Sequence, residues 1–164
     1  MGTFNRWLRE PLSTASAVKL WVTCAAIVFG IWFVVPIVLA GSFPAQFLAI
    51  PLSLRNLAIA ASTSFGEELV FRAFPVMAVL YFFPRQAILA LLVGLGAAYP
   101  FGIWHNWGTT TQACLSIGSA ALVLVYLKFG GASGKPFQGF LAGGGIHLLC
   151  NVTIAIIANI VVAQ

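Results

Sequence analysis

Glu67, Glu68, Arg72, His105, His147 and Asn151 are the side chains of this 164-residue chain whose types and spacing could do chemistry. The sequence holds only three acidic residues, and two of them are adjacent here, well inside an apolar run that begins near Leu57. An ionisable side chain at membrane depth costs several kcal/mol unless it is paired. On a helix, positions four apart share a face and neighbours diverge by about 100°. Glu68 and Arg72 can therefore form the ion pair that makes burial of both tolerable, which leaves Glu67 pointing elsewhere. A desolvated carboxylate without a cation is suited to take a proton from water. The chain's two histidines extend the set: His105 closes Phe101-x-x-x-His105, and His147 opens His147-x-x-x-Asn151, which puts imidazole and carboxamide on one face. A carboxylate, two imidazoles and an amide can activate a water and donate hydrogen bonds to a developing oxyanion, which amide hydrolysis requires.

The elements that must position these groups are membrane helices. With 61% hydrophobic and 7% charged residues and a mean hydropathy of +1.03, the chain has too little polar surface to wrap a soluble core. The expected fold is an all-α polytopic membrane protein of one domain, with about five transmembrane helices (four to six). The net charge of +5 is spread over short loops and not gathered on one face, which speaks for topology and against nucleic acid. Cys24, Cys114 and Cys150 lie in apolar stretches, without the loop placement of a disulfide framework, and read as small buried hydrophobes.

Along the chain, residues 1–16 read as an interfacial segment carrying Arg6, Trp7, Arg9 and Glu10. Residues 17–40 hold a first span, apolar from Leu20 and kinked at Pro36; it is too long for a signal-peptide core despite its Val38-Leu39-Ala40 ending. Residues 41–56, with Pro44, Pro51 and Arg55, suit a surface or re-entrant segment. The second span is expected over 57–83, the third from Gln86 through Pro100 towards His105, a short fourth over 113–127 and a fifth over 139–162. Gly139 and Gly143 lie one and two turns before His147, a stripe that lets another helix approach closely. With the N-terminus inside, Arg6, Arg9, Lys19, Arg85, Lys128 and Lys135 fall on the inner side and Arg55 alone on the outer side. Trp104 and Trp107 then belong to the outer interface. The site is expected between helices 2, 3 and 5 and open to the outer side. Glu67 and Asn151 lie deeper than His105 in these spans, a mismatch that a Pro100 kink or an inward dip of residues 106–111 would remove.

Glu67-Glu68-x-x-x-Arg72, Phe101-x-x-x-His105 and His147-x-x-x-Asn151, in this order on successive apolar helices, resemble the three motifs of the CAAX prenyl protease type II and bacteriocin-processing family of intramembrane proteases, also called the CPBP or ABI family. The resemblance covers residues 57–162. It implies a glutamic-type intramembrane endopeptidase, a hydrolase of the prokaryotic cytoplasmic (inner) membrane acting on a membrane-anchored protein or peptide, for instance at a sorting tail or leader. By motif position, Glu67 matches the catalytic glutamate and His105 its partner in polarising water. His147 and Asn151 match the oxyanion stabilisers, and Glu68 and Arg72 support the site. The chain is shorter than the prenyl proteases and is similar in size to small prokaryotic members.

Two other functions use the same residues. Zinc could take Glu67, His105, His147 or Asn151 as ligands in a metalloprotease, although no His-Glu-x-x-His spacing is present; the expected cofactor is none. A non-enzymatic immunity or peptide-binding membrane protein could also use a buried polar cluster. Cys150 as a nucleophile is disfavoured, because its apolar surroundings keep it a neutral thiol.

Overall fold

The computed structural model describes residues 2–40 and 52–162, and residues 41–51 of the expected re-entrant segment lie outside that description. All regular structure among the described residues is helical. α1 (Thr3–Arg9) is short. Ser13 caps the next helix by accepting from the Ser16 amide, and α2 (Thr14–Phe29) then runs through a π-helical turn, Gly30–Val34, into α3 (Val35–Ala40). A second rod begins at the Ser53 cap: α4 (Leu54–Glu68), a π-helical turn Leu69–Ala73, and α5 (Phe74–Phe82). α6 (Ala87–Trp104), α7 (Thr109–Lys128) and α8 (Pro136–Val162) follow.

Both π-helical turns end two residues before a proline, Pro36 in one rod and Pro75 in the other. Proline has no N–H to donate and its ring strikes the carbonyl four residues back, so a widened turn lets the helix pass it without breaking. The expected kink at Pro36 is thus a bulge, and it carries Trp32; its counterpart carries Arg72.

Four helical stretches are long and apolar enough to cross a membrane: Thr14–Leu39, Ala87–Trp104, Thr109–Ser133 and Pro136–Val161. The rod of α4 and α5 has the length for a fifth, but Arg55, Glu67, Glu68 and Arg72 dilute its hydropathy. The fourth expected span is longer than residues 113–127, because the polar Thr109–Gln112 turn winds into helix behind Gly108. That helix, α7, is the central post of the bundle: 61% of its spanning window is buried, against 28–33% for the other three.

Glycine sets the closest approaches around that post. Gly94 of α6 lies against Val123 of α7, Gly102 lies against the Gln112 carbonyl and Ser116, and Gly118 gives room to the Trp32 indole. The loops also sort to two ends. Asn5 Nδ2 donates to the Arg85 carbonyl (3.2 Å), Arg9 donates to the Pro84 carbonyl (2.6 Å), and Lys128 Nζ donates to the carbonyls of Trp7 and Glu10 while lying 4.5 Å from the centre of the Trp7 ring. α1, the 83–86 turn and the end of α7 therefore share one end of the bundle, which collects Arg6, Arg9, Arg85 and Lys128; Arg55 starts α4 at the other end.

Candidate functional site

The 83–86 turn is a common origin for measuring depth. At 1.5 Å per residue, Glu67 stands about 23 Å above it on the α4–α5 rod and His105 about 27 Å above it at the end of α6. The two are level. The depth mismatch in the sequence-based spans came from measuring both residues from the outer helix ends. α6 in fact stops at Trp104 and turns back at Asn106 (φ 47°) and Gly108 (φ 88°), so its outer end lies beside the middle of the α4–α5 rod.

At this level Glu67 is faced by both histidines. Its Oε1 lies 3.7 Å from His105 Nε2 and its Oε2 lies 3.4 Å from His147 Nε2. His105 caps α6, and its Nδ1 lies 2.8 Å from the Phe101 carbonyl, four residues back. That carbonyl can only accept, so Nδ1 carries a proton, and the ring in its neutral form presents a lone pair at Nε2. His147 is buried, and its Nδ1 has no hydrogen-bond partner among the described residues. An orphaned N–H is rarer than an orphaned acceptor, which assigns its proton to Nε2, the atom turned towards Glu67.

Glu68 and Arg72 form the expected i, i+4 pair, Oε2 to Nη1 at 3.1 Å, and both are fully buried. The guanidinium is satisfied further by Ser119, whose Oγ accepts from Nε (3.1 Å) and Nη2 (2.7 Å), and it lies 4.1 Å over the Phe101 ring. Gly143 faces Glu68 Oε1 and Gly144 faces the Phe65 ring, where a β-carbon would collide, so glycine lets α8 reach α4. Gly139 instead packs against the Tyr126 carbonyl of α7, and the stripe serves two neighbours.

Asn151 Nδ2 donates to Ser64 Oγ (3.0 Å), and Ser64 donates to the Ala60 carbonyl (2.7 Å). One of the two N–H bonds of the amide is thereby fixed to α4. Above these groups lies a cavity of about 380 Å³ with Glu67, His105, His147 and Asn151 in its wall. The six residues singled out by type and spacing thus come together: four line the cavity, and Glu68 and Arg72 are packed behind it.

Four neighbours escaped the sequence reading. Ser64 and Ser119 are serines in apolar helices with no partner visible in their own segment. Phe101, which the spacing marks only as the residue four before His105, lies against Arg72, His105 and His147, with ring centroids 4.7 Å and 5.8 Å from the two imidazoles. Trp32 comes from the first rod, outside residues 57–162; its ring packs T-shaped with His147 (centroids 4.9 Å apart) and its N–H donates to the Leu115 carbonyl (3.1 Å). A tryptophan in the middle of a span, away from the interface it favours, was the available signal. Trp104 is exposed as an interfacial tryptophan should be, whereas Trp107 lines the cavity beside His105. Cys150 is buried, with Sγ towards the Ala25 carbonyl. No set of three His, Cys, Asp or Glu side chains among the described residues is arranged to hold a metal ion.

No protein-family model, curated protein or solved structure matches this chain. What it can do chemically rests on its own geometry.

Proposed function

We propose that the protein is a glutamic-type intramembrane endopeptidase, similar to the CPBP family, which hydrolyses a peptide bond in or near a membrane segment of another protein. The observation that carries this is the carboxylate of Glu67 faced by two imidazoles, at 3.7 and 3.4 Å, in the wall of a cavity. Glu67 Oε1 and the His105 Nε2 lone pair are both acceptors, too far apart for a direct bond but well placed to share one water. That water donates a hydrogen to each and keeps a lone pair for the carbonyl carbon of a substrate.

On attack, the water oxygen bonds to the carbonyl carbon and Glu67 takes the proton. The negative charge moves to the carbonyl oxygen, where His147 Nε2–H and the second Asn151 N–H stabilise it. Glu67 returns the proton to the leaving nitrogen, the C–N bond breaks, and a carboxylic acid, which keeps the second water hydrogen, and an amine leave. Arg72 holds Glu68 and contributes a fixed positive field behind the site. No cofactor takes part in this scheme. The N-terminus lies inside, the cavity opens to the outer side, and the protein resides in a prokaryotic cytoplasmic membrane, with the substrate anchored in the same bilayer.

The test compares membrane-protein fragments in native membranes carrying wild type or Glu67→Gln, with and without excess chelator. Fragments that vanish in Glu67→Gln and persist in chelator are expected. Loss on chelation, restored by zinc alone, replaces the scheme with a metalloprotease. Full cellular function in Glu67→Gln together with its loss in Glu68 and Arg72 variants replaces it with a non-enzymatic binding protein.

A further inference from the structure

The cavity above Glu67 has a shape and a chemistry that select what enters it. Asn56, Ala60, Thr63 and Glu67 all line it and are spaced four, three and four residues apart, so they form one face of α4 that descends to the carboxylate. His147, Asn151 and Ala155 make the corresponding face of α8. Between Asn56 and Glu67 the helix rises about 16 Å, the length of roughly five residues of extended chain at about 3.3 Å each. Apart from Glu67, no Asp, Glu, Lys or Arg lines this groove among the described residues. A charge entering it would be desolvated without a partner, at a cost of several kcal/mol. The hydroxyl and amide side chains of the wall, Ser53, Asn56, Thr63 and Asn151, carry no charge, and the Thr63 hydroxyl can both donate to and accept from the peptide groups of an unwound strand, which a helical segment would not expose.

We propose that this groove binds about five consecutive uncharged residues of the substrate in extended form, on one side of the scissile bond, and that Ala60 and Ala155 set the side-chain size accepted there. The substrate class is accordingly an apolar segment that unwinds at the cleavage point. This rests on the protease function proposed above.

The test presents the purified full chain in detergent with a proteome-derived peptide library and sequences the new termini by mass spectrometry, for wild type, Glu67→Gln and Ala60→Leu. The expected wild-type products need Glu67 and lack Asp, Glu, Lys and Arg over one five-residue flank. In Ala60→Leu, cleavage of peptides with Leu, Ile or Phe at one position of that flank falls about tenfold relative to those with Gly, Ala or Ser. If Ala60→Leu does not fold, Ala155→Leu on the facing helix carries the same readout. Glu67-dependent products that accept charge on both flanks, or a product spectrum unchanged by the leucine, overturn the groove assignment while the protease function stands. No Glu67-dependent product overturns the protease function, and the groove assignment with it.

Discussion

Two adjacent glutamates have unequal environments, and that inequality makes them separable by mutation. Glu68 is fully buried against Arg72, whereas Glu67 keeps 16% of its side chain exposed towards the cavity. Under the proposed mechanism Glu67→Gln removes the base but leaves no buried charge, so proteolysis should fall about 10²–10⁴-fold. Thermal unfolding in detergent, followed by intrinsic tryptophan fluorescence, should move little. Arg72→Met strands Glu68 in the core and should destabilise the fold by about 3–5 kcal/mol. The double variant Glu68→Gln/Arg72→Met should recover most of that loss, since no charge then remains buried. Failure of the second change to restore stability would show that Arg72 acts through Ser119 and Phe101 more than through Glu68. Ser119→Ala, which removes one acceptor from two guanidinium donors, should cost about 1–3 kcal/mol by the same fluorescence measurement.

At the scale of the element, the π-helical turns before Pro36 and Pro75 deserve a functional test because they carry Trp32 and Arg72. Replacing Pro75 with Ala restores an N–H and permits a regular α-helical turn, which would rotate α4 relative to α5. Stability should stay within about 1 kcal/mol or rise, since an interior proline is unfavourable. Cleavage should fall, because Glu67 would turn away from histidines on two other helices. Parallel thermal melts and fragment yields separate these effects, and unchanged yields would show that the bulge is not needed for alignment. Gly143→Ala acts at an element contact: its methyl group meets Glu68 Oε1 and should destabilise by about 1–3 kcal/mol.

For the whole molecule, the sorting of loops makes a topological prediction. Single cysteines placed at residues 84–86 or at the exposed Ser133 should react with an impermeant thiol reagent from the side of the N-terminus. Cysteines at residues 106–111 should react from the opposite side, through the cavity mouth. Labelling of 106–111 from the N-terminal side would invert the proposed access route. Lys128 ties α1 to the end of α7 through two carbonyls and the Trp7 ring, so Lys128→Met should increase proteolytic nicking within the first ten residues.

Composition and short spacing were enough to specify helices, their approximate positions, the Glu68–Arg72 pair and the six residues that could act together. All of these depend on local periodicity or on the price of charge in an apolar run. Convergence of Glu67 with His105 and His147 depended on where α6 ends and on the origin from which helix heights are counted, which residue spacing within one helix does not contain. Trp32, Ser64 and Ser119 were illegible for a related reason: each acts through a hydrogen bond or ring contact to a helix distant in sequence. The sequence thus marked the glutamate pair as an expensive feature and matched one carboxylate to Arg72 by spacing, whereas tertiary packing alone brought Ser119 to that arginine and left the other carboxylate facing two imidazoles and a cavity.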